Sequence, residues 1–231
     1  MAGQVDFIFL IDGTGSMNPC MDALKSNISI FLDALTGEQS VVRDWRGKVV
    51  TYRDQKVDGS SWFEDNPFVK NDGPSLKAQL DTLKAEGGGD EPESLLDALH
   101  KISLVGQADK DAQELDPYLW RYRSNASRVV VVFTDATYHP TMSYPEGEGG
   151  GVDDVSNAIM SNKIILMLFA PDHECYDKLD EIDKYQWTTI PEVDSSFATG
   201  LEKLTDDSSE FTKVLIALAK SISASVATPE L

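Results

Sequence analysis

Val5-Asp6-Phe7-Ile8-Phe9-Leu10-Ile11, running into Asp12-Gly13-Thr14-Gly15-Ser16, is the stretch on which the fold turns. It is apolar apart from Asp6 and has no polar face. That predicts a strand buried on both sides, as in a parallel sheet covered by helices. The glycines after Asp12 predict a tight turn, with Asp12 in it at the surface. Beyond the turn, Met21, Leu24, Ile28, Phe31, Leu32 and Leu35 recur at three and four residues. They form one face of a helix, which Gly37 ends.

The same alternation continues outward. Residues 48–53 read as a second strand. Residues 60–70 read as an edge or broken strand, because Pro67 has no N–H to give a ladder. Leu76, Leu80 and Leu83 place a helix over 74–85, and Leu95, Leu96, Leu99 and Ile102 place another. Residues 106–125 are polar and irregular. The run 128–134, RVVVVFT, is the most strand-like of all. An acidic loop over 141–151 precedes a short helix at 153–162 and a buried strand at 164–169. Tyr176, Leu179 and Ile182 predict a turn or two of helix, and 187–193 a weak last strand. Phe211, Val214, Leu215, Leu218 and Ile222 define a C-terminal helix, with fraying expected after Ser223. Apolar strands alternating with helices predict an α/β fold in one domain spanning 1–231: a doubly wound, mainly parallel sheet with helices on both faces. Ligands of such sheets sit beyond the carboxyl ends of the strands, where strand order reverses.

Charge narrows the function. The 231 residues carry 20 Lys+Arg against 39 Asp+Glu, a net charge of −19. A surface this acidic repels phosphate backbones and anionic lipid, so neither nucleic acid nor membrane is expected as a partner. Metal cations and proteins remain. No apolar run reaches the roughly 18 residues of a membrane span. The N-terminus lacks a basic region and a cleavage site, so no signal peptide is expected. Cys20 and Cys175 are expected as two reduced thiols in a cytoplasmic protein.

Three loops then carry oxygen ligands with no lysine, arginine or cysteine among them. They hold Asp12, Thr14 and Ser16, then Gly87-Gly88-Gly89-Asp90, and Asp135 after the strongest strand. Hard oxygens of this kind suit Mg²⁺, Mn²⁺ or Ca²⁺. A dinucleotide fingerprint fails because Asn18 stands at its third glycine and Asp12 would repel a pyrophosphate. An aspartyl-phosphate phosphatase fails because Thr14 stands where a second Asp is needed. Bland roles compete at each position. Asp12 is also a candidate cap for the next helix. Asp90-Glu91-Pro92-Glu93 reads as a capping box, and Asp90 can serve as cap, as ligand or as both. Asp54 is either a turn residue or a rim residue that meets an ion through water. Tyr138 and His139 are either ligand contacts or loop filler. No Ser–His–Asp or Cys–His set is assembled, so an enzyme is not expected. Trp45, Trp62, Trp120 and Trp187 are scattered, as packing residues would be.

Asp12-x-Thr14-x-Ser16 after an apolar strand, Gly-Gly-Gly-Asp-x-Pro-Glu before a helix and Phe133-Thr134-Asp135 after a strand together resemble the von Willebrand factor A domain. The resemblance covers about 5–224 in the right order. It is strongest to the A domains of hemicentin, of the alpha-kinase-linked proteins and of bacterial relatives. It implies a Rossmann-like six-stranded sheet of order 3-2-1-4-5-6 with a short antiparallel third strand. It also implies a metal-ion-dependent adhesion site holding Mg²⁺, or Mn²⁺ or Ca²⁺, through Asp12, Thr14, Ser16, Asp90 and Asp135. The implied function is a protein-interaction module whose partner offers a carboxylate to the ion. A structural-metal scaffold and a metal-assisted hydrolase are the alternatives. Thr14 stands where serine is commoner, and Asp90 where many members have threonine. A further carboxylate there would weaken capture of an acidic group.

Overall fold

In a computed structural model, described for residues 3–89 and 91–227, the apolar run is the central strand of one sheet. β1 (Gln4–Asp12) lies between β2 (Asp44–Tyr52) and β5 (Ser127–Phe133), parallel to both. β6 (Ile164–Pro171) and β7 (Tyr185–Ile190) extend the sheet in parallel beyond β5. On the other side β3 (Phe63–Asp65) and β4 (Val69–Lys70) both run antiparallel to β2, giving the order β3-β2-β1-β5-β6-β7 with β4 also on β2. The expected edge strand is thus two short pieces separated by Pro67. That break makes seven strands of the expected six.

The pleat of β1 divides its side chains between two cores. Val5, Phe7, Phe9 and Ile11 join the core beneath α1 (Asn18–Thr36), α3 (Gly73–Asp81), α6 (Phe197–Asp206) and α7 (Ser208–Ala227). Phe7, Phe9 and Phe31 pack there with ring centroids 5.0–5.5 Å apart. Ile8 and Leu10 join the opposite core, beneath α4 (Leu95–Ser103) and α5 (Val152–Ser161).

Several boundaries differ from expectation. β2 begins at Asp44, ahead of the expected 48, because Arg46 is buried against Asp6 of β1 and Trp45 faces the core. β7 begins at Tyr185 and ends at Ile190, shifted toward the N-terminus of the expected strand. α3 stops at Asp81, where Thr82 and Leu83 bond back three residues and tighten the last turn. A short α2 (Gln55–Asp58) and the ten-residue α6 carried no recognisable period. The turn expected around 176–182 is a 3-10 helix, Glu174–Glu181. α7 runs to Ala227, past the point where fraying was expected. α4 begins at Leu95 with Ser94 at its N-cap, so residues 91–93 do not open it. Glu93 N donates to the Thr137 carbonyl (2.9 Å) and His139 N to the Glu93 carbonyl (3.0 Å). That ladder-like pairing is extended, and an extended residue is not the first turn of a helix.

Candidate functional site

β1 leads to β2 on one side of the sheet and β5 leads to β6 on the other. The reversal of strand order therefore falls between β1 and β5. Their carboxyl ends carry Asp12 and Asp135 side by side. Asp12 is the last residue of β1 and fully buried, not a surface-turn residue as expected. Its Oδ1 accepts from the Thr14 amide (2.9 Å) and the Thr14 hydroxyl (2.7 Å), and its Oδ2 from the Thr134 hydroxyl (2.8 Å). The Ser16 hydroxyl donates to Asp135 Oδ1 at 3.0 Å.

These bonds set the character of the site. A hydroxyl has one proton and two lone pairs. Thr14 gives its proton to Asp12 and Ser16 gives its proton to Asp135, so the two hydroxyl oxygens, 3.4 Å apart, stand as neighbouring acceptors. Asp135 Oδ2 and Glu93 Oε2 are buried with no hydrogen-bond partner among the described residues. Thr14, Ser16, Glu93 and Asp135 all line one cleft of ≈ 730 Å³, which continues past His173 to Phe197.

The electrostatics agree. Burial raises the Asp12 carboxyl above its ordinary range, against the bonds from Thr14 and Thr134 and the charge of Arg53. Burial, then the charge of Asp12, lifts Asp135 to about 7. Burial, then Asp12, Asp54, Asp58 and Asp135, lifts Glu93 to about 8. Arg53 does not neutralise the group. Its guanidinium donates to the carbonyls of Gly13 (3.3 Å) and Glu86 (2.7 Å) and pairs with Glu64, tying the β1 loop to the loop before Gly87. The arrangement is a set of buried oxygen acceptors short of positive charge, the donor chemistry of a hard cation. Among the described residues, no three His, Cys, Asp or Glu side chains form a metal-binding group by themselves. The hydroxyls of Thr14 and Ser16 are interleaved with the carboxylates instead.

A family model, the von Willebrand factor type A domain, matches residues 6–207. The chain belongs to that family. The alpha-protein kinase vwkA of Dictyostelium discoideum is 28% identical over 168 residues, covering 69% of this chain and 24% of the kinase. Proximal thread matrix protein 1 of the mussel byssus superimposes with a TM-score of 0.52 at 13% identity, over 94% of this chain and 48% of that one. The latter is a likeness of fold alone. The chain therefore spans well under two thirds of either relative.

In this A domain the side chains of Asp12 and Thr14, and those of Ser16 and Asp135, are hydrogen-bonded, while Asp90 lies outside the described residues. Asp54 caps α2, accepting from the Lys56 amide at 2.9 Å, and also meets the Ser94 hydroxyl and His139 Nε2, each at 3.2 Å. His139 faces Asp54, and Tyr138 is buried with its hydroxyl donating to the Cys175 carbonyl; neither lines the cleft. Cys20 and Cys175 are both unpaired thiols. Two residues escaped the sequence reading. Thr134 lies within the Phe-Thr-Asp motif, whose evident ligand chemistry is the aspartate. Glu93 has the spacing of a capping-box residue. No described helix is long and apolar enough to cross a membrane.

Proposed function

We propose that this A domain is a protein-interaction module working through a metal-ion-dependent adhesion site, not an enzyme. One observation carries the reading. Two hydroxyls with their protons committed to buried carboxylates stand beside the unpartnered Oδ2 of Asp135 in one cleft. Thr14, Ser16 and Asp135 would hold a divalent cation, Mg²⁺ or the similar Mn²⁺ or Ca²⁺, with Asp12 behind them. When bound, the cation supplies electrostatic attraction for an oxygen atom of a protein partner. Asp12 orients the Thr14 hydroxyl, and Asp135 orients that of Ser16. Thr134 holds Asp12 in register with the end of β5. The unpaired thiols favour a reducing compartment such as the cytoplasm.

Thermal melting tests the proposal. A cation that binds only the folded state raises stability by RT ln(1 + [L]/Kd), about 2.7 kcal/mol at a hundredfold excess over Kd. The melting temperature is expected to rise from EDTA to millimolar Mg²⁺ or Mn²⁺, and Asp12→Asn is expected to abolish the rise. Identical melting in EDTA and in either metal overturns the proposal.

A further inference from the structure

In a chain of net charge −19, one cavity is lined by two arginines, Arg123 and Arg128, and by no carboxylate among the described residues. Arg128 is the second residue of β5, so the cavity lies at the opposite end of that strand from Asp135. Its volume is ≈ 240 Å³, below the roughly 300–1,000 Å³ of a drug-sized ligand site, so it suits a small group. Its inner wall is fixed. Arg128 is 3% exposed, with Nη1 donating to the Asn162 carbonyl (3.3 Å) and Nη2 to the Arg121 carbonyl (2.9 Å) and to Gln107 Oε1. Those three acceptors are neutral oxygens, so the bonds orient the guanidinium without cancelling its charge.

Gln107 ties the second arginine to the first. Its Oε1 also accepts from the Arg123 amide at 3.1 Å. Both lone pairs of that oxygen are then used, and what the Gln107 side chain still offers is its NH₂ donor. The Arg123 guanidinium is exposed and makes no hydrogen bond or ion pair with the described residues. The cavity thus presents one buried and one exposed cation, with an amide donor between them. We infer that it binds a single phosphate group. A phosphate monoester carries about −1.5 to −2 at neutral pH, which two guanidinium groups balance, and the planar fork of arginine fits phosphate oxygens in pairs. A long polyanion would meet the acidic surface along its whole length, whereas one phosphate meets only the cavity. The site needs no metal and is independent of the adhesion-site reading. Inorganic phosphate and the phosphate of a phosphorylated residue share this chemistry, and their titrations separate them.

The test is an amide NMR titration at neutral pH, in EDTA and at fixed ionic strength. Sodium phosphate, the peptide acetyl-Gly-phosphoserine-Leu-amide, its unphosphorylated form and sodium acetate are each added to the parent. Shifts from both phosphates are expected around Gln107 and Arg123. Acetate, with a single charge, is expected to bind about tenfold more weakly or worse, and the unphosphorylated peptide not to bind. Arg123→Gln is expected to weaken phosphate binding about tenfold or more, and Arg123→Lys to fall between it and the parent. Gln107→Glu keeps an oxygen for both bonds and sets a negative charge between the arginines, so it is expected to abolish binding. Both positions are exposed, and melting of each variant close to that of the parent checks the fold. A peptide that binds at least as tightly as inorganic phosphate supports the inference with a phosphorylated partner as the source. The reverse order supports it with free phosphate as the source. No shift with either phosphate, shifts confined to another part of the molecule, acetate binding as tight as phosphate, or phosphate affinity unchanged in Arg123→Gln and Gln107→Glu overturns it.

Discussion

Asp6 and Asp12 are both fully buried carboxylates of β1, and they are answered in opposite ways. Asp6 meets guanidinium groups. Arg46 Nε donates to it at 3.0 Å, and Arg121 approaches it at 3.3 Å, with the Arg121 amide bonded at 2.7 Å. Replacing Asp6 with Asn leaves the buried Arg46 without its counter-charge, while Arg121 keeps Asp44 at 2.9 Å. Urea unfolding is expected to show a loss of about 3–5 kcal/mol. Asp12 meets only neutral donors, so Asn in its place keeps the shape and removes a buried charge. In EDTA, Asp12→Asn is expected to melt no lower than the parent. The raised carboxyls also predict a pH dependence. Asp135 and Glu93 move from ordinary values of 3.8 and 4.5 to about 7 and about 8, so the folded state holds protons that the unfolded state releases. Their contribution to stability is complete below pH 4 and is lost as pH rises through 7 to 8. The urea midpoint in EDTA is expected to fall between pH 5 and 8.5. The fall should be shallower in the double variant Asp135→Asn, Glu93→Gln. Divalent-metal affinity should rise over the same interval, because metal and protons compete for the same oxygens.

Gly200 shows why α6 was invisible from the sequence. It lies within the helix, buried, where a Cβ would stand 1.8 Å from the Pro191 carbonyl oxygen at the end of β7. Glycine is a poor helix former, and this one is needed because α6 packs against the backbone leaving the last strand. Gly200→Ala is expected to destabilise the protein by about 1–3 kcal/mol, the range for overpacking, and more if α6 is expelled. Urea unfolding measures it, and a neutral result would mean that α6 is not seated there. The start of α4 makes the same point with the sign reversed. Asp90-Glu91-Pro92-Glu93 has good local chemistry for a helix start, but the backbone of Glu93 pairs with Thr137 and His139 instead of entering a helical turn. The helix then waits for Ser94. Tertiary hydrogen bonds outweighed a local preference worth only about 1 kcal/mol.

The sheet brings together residues that lie far apart in the chain, and it separates two kinds of charge. The Asp6 ion pairs lie at the amino ends of the central strands and the carboxylate cluster at their carboxyl ends. The balance is otherwise strongly negative, with net charge −19. Self-repulsion on that scale opposes compaction and is screened by salt. In EDTA the urea midpoint is expected to rise when NaCl is brought from a few millimolar to physiological strength. No rise would mean that the surface charges are already locally paired.

The strand centres, the helix faces with a clean period and the oxygen-rich loops that follow β1 and β5 were legible in the residues alone. Each depends on a local repeat or a short motif: VDFIFLI, RVVVVFT and the Asp12-Thr14-Ser16 spacing needed no neighbour to be read. Asp6 in its apolar run, the early start of β2, the glycine-bearing α6 and the burial of Asp12 were not legible. Each is the consequence of a group more than twenty residues away or on another element, such as Arg46, Arg121, Pro191 or Thr134. Glu93 is the sharpest case. Its sequence neighbourhood argues for a helix cap, and only the pairing of its backbone with the loop after β5 sets it in the cleft that Thr14 and Asp135 line. A side chain's chemistry is local, but its partners are set by where the chain folds back, and those contacts have no period to read.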